Sequence, residues 1–346
     1  MSIESFIRAM PKAELHVHLE GAFLKETLVN IAEENDARAH LKHFDSWLKL
    51  LDNPDYARLD QISRTVSQWL QYGEDLTRLV YDLGVALSKQ NVRYAEVSFT
   101  PTLYSHMSLT LESMVEALND GRDRVQRGWG VRMAWILTLP RDDPRKAEEL
   151  IRFAGTLSAK RAGVVAIGLA GRENAQPSAQ FERAFKSAEK KDVLRVLHGG
   201  DVFGVEGTLD TLVMLRPNRL IEGVGAADAP DAMQMLVDNH IPLDICMARA
   251  LCMNEAESYA AIPLRQYIDA GVSVLLSTDM PSYLKTTLSN EYLAAVEHAG
   301  LTIDELQEVA LNAVRAALLP TETKQALFAE FTQEYSRLSA EHLQSA

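Results

Sequence analysis

Eight short apolar runs, rich in Val, Ile and Leu, recur along the chain and are separated by longer amphipathic stretches. The runs occupy residues 15–19, 92–99, 131–137, 164–169, 193–197, 220–222, 241–245 and 272–277. A strand so continuously apolar must be covered on both faces, which is the condition of a parallel strand flanked by helices. The stretches 111–126, 144–159, 179–190, 229–239 and 264–270 read as those helices. Eight strands alternating with helices favour a (β/α)8 barrel of the TIM type over an open sheet.

The length of 346 residues suits one such barrel carrying insertions. No Gly/Ser/Pro linker or repeat divides the chain, so a single barrel domain over residues 1–346 is expected. Segment 22–90 is too long for one barrel helix and reads as a helical insertion after the first strand, a lid over the pocket. The tail, residues 303–346, reads as C-terminal helices packed against the barrel.

The formal net charge of −13 argues against nucleic acid or an anionic membrane as a partner. No stretch approaches the roughly 20 apolar residues that a membrane helix requires. The first ten residues lack a basic region followed by an apolar run, so a cytoplasmic protein is expected. The two cysteines, Cys246 and Cys252, have no CxxC spacing, which removes metal-finger and dithiol redox readings. A small molecule remains as the expected partner, and composition says nothing of oligomeric state.

Three segments carry the chemistry. In Glu14-Leu15-His16-Val17-His18-Leu19-Glu20-Gly21, the two histidines are two residues apart on a strand and so point to the same side. Paired imidazoles suit a cation such as Zn²⁺. His198 ends a second apolar run and is followed by Gly199-Gly200-Asp201, while Asp279 ends the run Ser273-Val274-Leu275-Leu276-Ser277-Thr278. Taken singly, His198 reads equally as a turn histidine and Asp279 as a helix cap. All sit at C-terminal strand ends, where barrel active sites lie, and together they favour a metal site.

These segments resemble the adenosine/adenine deaminase family of the amidohydrolase superfamily. Pro11-Lys12-Ala13-Glu14-Leu15-His16-Val17-His18-Leu19-Glu20-Gly21 is similar to that family's opening motif. The likeness continues in Tyr94-Ala95-Glu96-Val97, Gly168-Leu169-Ala170-Gly171, His198-Gly199-Gly200, Ser277-Thr278-Asp279 and Thr287-Leu288-Ser289-Asn290-Glu291-Tyr292. It implies a barrel holding one zinc ion, or another divalent transition metal, on His16, His18, His198 and Asp279. The HxE…PCxxC signature of the other zinc deaminases is absent, which excludes the cytidine-type fold.

The resemblance also implies hydrolytic deamination, in which zinc acidifies a bound water and C–NH₂ becomes C=O. The residues expected to assist depart from the family pattern. Asp201 stands where the family has Glu, Glu222 where it has a basic His, and Met280 where it has a second Asp. Asp201 and Glu222 are therefore the candidate catalytic carboxyls. The family's Cys-Pro-Thr-Ser-Asn segment reads Cys246-Met247-Ala248-Arg249-Ala250, Arg172 replaces an Asp, and Ser98 replaces a basic residue. Glu20, where adenosine-specific members carry Asp, resembles members that act on free bases or other heterocycles. The expected substrate-side residues are Glu20, Gly171, Arg172, Arg249 and Met280. The two arginines either grip a carboxylate or phosphate on the substrate or are simply solvated or paired within the protein. The expected function is a zinc-dependent deaminase of an aminated heterocycle, purine- or pterin-like, other than adenosine. A hydrolase of a different bond and a non-catalytic metal-binding protein are the alternatives.

Overall fold

The computed structural model describes residues 2–40 and 43–343. Residues 1, 41–42 and 344–346 lie outside the described residues, and with them small parts of the expected insertion and tail. Eight parallel strands follow one another in chain order. They are β1 (Lys12–His18), β2 (Val92–Phe99), β3 (Arg132–Pro140), β4 (Val164–Ala170), β5 (Leu194–Gly199), β6 (Arg219–Glu222), β7 (Leu243–Ile245) and β8 (Val274–Leu276). The fold is a (β/α)8 barrel.

The ring closes just beyond β8, where Val17 bridges Asp279 in parallel. The His18 amide donates to the Asp279 carbonyl at 2.7 Å, and the Asp279 amide donates to the His16 carbonyl at 3.0 Å. Closure thus runs through three of the four expected metal residues, His16, His18 and Asp279.

β1 begins at Lys12, three residues before its apolar run, because its polar residues are also buried. Lys12 Nζ donates to the carbonyls of Ile7 and Met10 at 2.7 Å each. Across the barrel interior, Arg219 Nη2 reaches Glu96 Oε2 at 2.7 Å and the Leu15 carbonyl at 2.9 Å. Paired in this way, charged residues can sit inside the barrel without the penalty of an isolated buried charge.

Segment 22–90 contains the helices Lys25–Glu34, Ala37–His40, Phe44–Asp52, Leu59–Ser67 and Gly73–Ser88. The last of these packs closely on Leu111–Trp129: a Cβ at Gly84 would lie 2.3 Å from Val125, and one at Gly121 2.6 Å from the Thr77 carbonyl. The stretch read as one helix over 144–159 is divided, with helices Ala147–Ala154 and Leu157–Arg161 and Thr156 capping the second. The tail is likewise two helices, Ile303–Ala316 and Thr321–His342, since Pro320 cannot continue the first. Tyr335 ties the second to the barrel floor by donating to the Pro11 carbonyl at 2.9 Å. Among the described residues no helix is long and apolar enough to cross a membrane.

Candidate metal centre and substrate chamber

His16 and His18 leave β1 on one side, His198 stands on β5 and Asp279 follows β8. One ligand-type atom from each of the four lies within 4.8 Å of the others, and all four residues are buried. Asp279 Oδ1 is 3.3 Å from His16 Nε2 and 3.5 Å from His18 Nε2. The His16 and His198 rings have centroids 4.7 Å apart.

The donor set fits a cation. His16 Nε2, His198 Nε2 and Asp279 Oδ1 are buried without a hydrogen-bond partner, an arrangement costly unless another group satisfies them. Burial, reinforced by the neighbouring His16, lowers His18 to about 3. Burial and the other two histidines lower His198 well below the ordinary value. Both imidazoles are therefore neutral, the form that ligates metals. Burial works to raise the Asp279 carboxyl, yet His16, His18 and Arg249 together hold it well below the usual carboxylate range.

Arg249 organises the acidic side of the centre. It is buried, with Nε 3.1 Å from Asp279 Oδ2 and Nη1 2.6 Å from Glu255 Oε1 and 3.4 Å from Glu222 Oε2. Asp201 Oδ2 is 3.9 Å from Nη2. The carboxylates of the protein therefore engage the guanidinium. Arg172 is instead exposed, on the rim of the chamber. Arg249 rides on the helix Met247–Cys252, whose first amides are held by Glu291: Oε2 accepts from Met247 at 2.7 Å and from Ala248 at 3.2 Å.

Burial raises the Asp201 carboxyl to about 6 against the pull of Arg249. Burial also raises Glu222 well above its ordinary value, with Arg249 opposing and Glu255 reinforcing the shift. Glu222 has a positive φ of 72° at the end of β6 and reaches the centre through Arg249.

The chamber has two lobes, of about 110 and about 50 Å³. His18, Gly171, Arg172 and Met280 border both, Glu20 the larger, and His198, Asp201, Arg249 and Asp279 the smaller. Gly21 lets Met280 approach: a Cβ there would lie 2.4 Å from the Met280 Cβ. Glu20 is buried, with Oε1 accepting from the Thr100 amide at 2.8 Å, and burial raises its carboxyl to about 7.

Several contributors have no signal in the motifs. Asp60, Ser63 and Arg64, on the helix Leu59–Ser67, line the larger lobe, as does Arg141 from the end of β3. Glu173 lies next to a motif position, but its partners come from other loops, and Glu255 lies outside the motifs, six residues beyond its partner Arg249. Glu291 stands in a recognised segment, and only the fold reveals that it holds the helix bearing Arg249.

Three histidines and an aspartate at the C-terminal mouth of a parallel eight-stranded barrel define a metal-dependent hydrolase. The chain matches the adenosine deaminase family over residues 11–334. It belongs to that family and is a deaminase. It is 28% identical over 329 residues to the aminodeoxyfutalosine deaminase of Streptomyces avermitilis, covering 95% of this chain and 92% of that one. It is 27% identical over 327 residues to an adenosine deaminase of Clostridium botulinum, covering 92% and 96%. An amidohydrolase from Burkholderia ambifaria, solved with bound zinc, superposes with a TM-score of 0.88 at 22% identity, covering 99% of this chain and 95% of that one.

Proposed function

We propose that the protein is a zinc-dependent hydrolytic deaminase acting on a compact aminated heterocycle, purine- or pterin-like, rather than on adenosine. The observation that carries this reading is the convergence of four buried ligand side chains beside the chamber, three of them with unpartnered atoms. His16, His18, His198 and Asp279 would hold one ion, and three imidazoles with one carboxylate suit zinc. Another divalent transition metal that favours imidazole would suit the same set. When bound, such an ion acidifies a water enough to make it a nucleophile near neutral pH.

The chain's own residues supply the rest. Asp201 borders the smaller lobe with a carboxyl raised to about 6, so it still carries a proton where an ordinary aspartate has lost it. It would give that proton to the ring nitrogen as the water oxygen adds to the amino-bearing carbon. Of the two water protons one then goes to the amino group, which leaves as ammonia, and the other returns to Asp201 as the ring carbon becomes a carbonyl. Glu222 acts at one remove, by holding Arg249 against Asp279.

Lobes of about 110 and 50 Å³ are small beside the roughly 300–1,000 Å³ of drug-sized ligand sites, which supports a compact substrate. Met280 leaves the ring edge without the family's second carboxylate. An anionic substituent would meet Arg172 at the rim, because Arg249 is engaged by carboxylates. We read residues 1–346 as one barrel domain, segment 22–90 as its cover and 303–346 as its buttress. Asp60 and Ser63 on the chamber wall support the cover.

A second reading, hydrolysis of another bond, is favoured by Glu222 and Met280, at two of the three substituted positions. The test is ammonia release by zinc-loaded protein from adenosine, adenine, AMP, guanine, aminated pterins and carboxylated analogues. Zinc-dependent ammonia from a compact base or pterin, with less from adenosine, is the expected result. Silence across the panel with zinc bound would overturn the deaminase reading.

A further inference from the structure

We propose that Glu173 and Arg141 form a two-handed clamp on the loop leaving β5, and that both are positioning residues for His198 and Asp201. Glu173 is 2% exposed, and its carboxylate accepts three backbone bonds from that loop. Oε1 takes the Gly200 amide at 2.8 Å, while Oε2 takes those of Val202 at 3.1 Å and Phe203 at 3.0 Å. Bonds from amides to an ionised acceptor are stronger than neutral ones.

Arg141 takes the other side of the same turn. It is fully buried, and its Nη2 donates to the His198 carbonyl at 3.0 Å while lying 3.9 Å from Glu173 Oε1. The cation therefore holds a carbonyl and the anion holds amides within one stretch of six residues, each grip matched to the polarity it meets. The two side chains come from different strand ends, Arg141 after β3 and Glu173 after β4. Their pairing fixes the β5 exit relative to β4, its neighbour, and to β3 beyond it.

One glycine is required by the turn itself and a second by the clamp. Gly200 has φ of 90°, and a Cβ there would lie 2.2 Å from Thr208 Oγ1. Gly207, in the helix Gly204–Asp210, lies against Glu173, where a Cβ would be 2.4 Å from either carboxylate oxygen. The clamped segment carries both a proposed ligand and the proposed proton carrier. Asp201 Oδ1 has no hydrogen-bond partner and Oδ2 is held only loosely, 3.9 Å from Arg249 Nη2, so the backbone beneath it helps to set its direction. At such centres a displacement of about 1 Å can cost on the order of 100-fold in rate.

The His198 arm of this inference rests on the metal reading above; the loop arm does not. The test compares full-length wild type, Glu173→Gln and Gly207→Ala. Gly207→Ala keeps every charge, suits a helix better than glycine, and pushes a methyl into the carboxylate. Native-state hydrogen exchange is read at Gly200, Val202 and Phe203, and zinc loss to a chelator is timed. We expect exchange at those amides to rise at least about tenfold in both variants, with central-strand amides unchanged. Zinc loss should quicken by roughly 10–100-fold, as for outer partners of metal ligands, and Glu173→Asp should recover part of both effects. Unchanged loop exchange would overturn the clamp, and faster exchange with unaltered zinc loss would overturn its positioning role. Should Glu173→Gln not fold, Gly207→Ala decides. Should wild type hold no zinc, the metal reading fails with the His198 arm, and loop exchange still decides the clamp.

Discussion

Asp279 divides its carboxylate between two tasks, Oδ1 facing the histidine pair and Oδ2 facing Arg249, so its loss and the loss of Arg249 have separable consequences. Asp279→Ala should weaken zinc binding by more than about 100-fold, since even an outer partner of a ligand is worth 10–100-fold. Metal content after dialysis checks this, and retention of a full equivalent would remove Asp279 from the ligand set. Arg249→Met leaves Glu222 and Glu255 buried without their cation and should cost about 3 kcal/mol of stability near pH 8. The deficit should shrink towards pH 5.5, because the unpaired carboxyls can then take up protons; denaturant titrations at the two pH values test it. Asp201 gives a kinetic signature. Its carboxyl is raised to about 6 by burial, so an acid role requires kcat to fall as pH rises through that value. Asp201→Asn should abolish that limb, and a profile with the limb intact would assign the proton to another group. The ligand residues were legible in the sequence because each occupies a strand end within a short motif. Arg141 and Glu173 were not, because their partners lie on other loops and only the tertiary approach pairs them, nor was Glu255, which lies outside the motifs.

Elements were legible in proportion to their apolar content. Each of the eight observed strands overlaps an apolar run, but β1 starts early and β3 runs on to Pro140, since buried polar and terminal residues add nothing to an apolar signal. The helix Met247–Cys252 is six residues long, too short for periodicity to announce it, and its stability comes from outside. Glu291 supplies it by accepting from the first two amides of the helix. Burial raises that carboxyl from 4.5 to about 7, against the bonds from Thr286 and the amides. With the folded value above the unfolded one, the group's contribution is complete below about pH 4.5 and is lost as pH rises through about 7. Glu291→Gln keeps an acceptor for both amides without the titration. Wild type should therefore lose on the order of 3 kcal/mol relative to this variant between pH 4.5 and 7.5. Parallel urea curves for the two proteins would refute the assignment.

At the scale of the whole molecule, the alternation of runs identified the barrel, but not where the ring would close. The seam is made by the backbone of His16, His18 and Asp279, whose side chains are three of the four converging ligand groups. A sequence can show that β1 and the end of β8 each carry such residues, yet adjacency of the first and last strands is a property of the closed ring. Metal binding should therefore act as a staple across the closure. A ligand that binds only the folded state adds RT ln(1 + [L]/Kd), about 2.7 kcal/mol at a hundredfold excess over Kd. For a chain of this size that corresponds to a rise in Tm of roughly 4 °C. The specific expectation is where the gain falls: zinc should slow exchange of the His18 and Asp279 amides, which bond across the seam, more than that of amides on the opposite wall in β4. Calorimetry with and without zinc gives the first number and exchange gives the second. Tight zinc binding with an unchanged Tm, or with protection spread evenly round the barrel, would separate the metal centre from the closure of the fold.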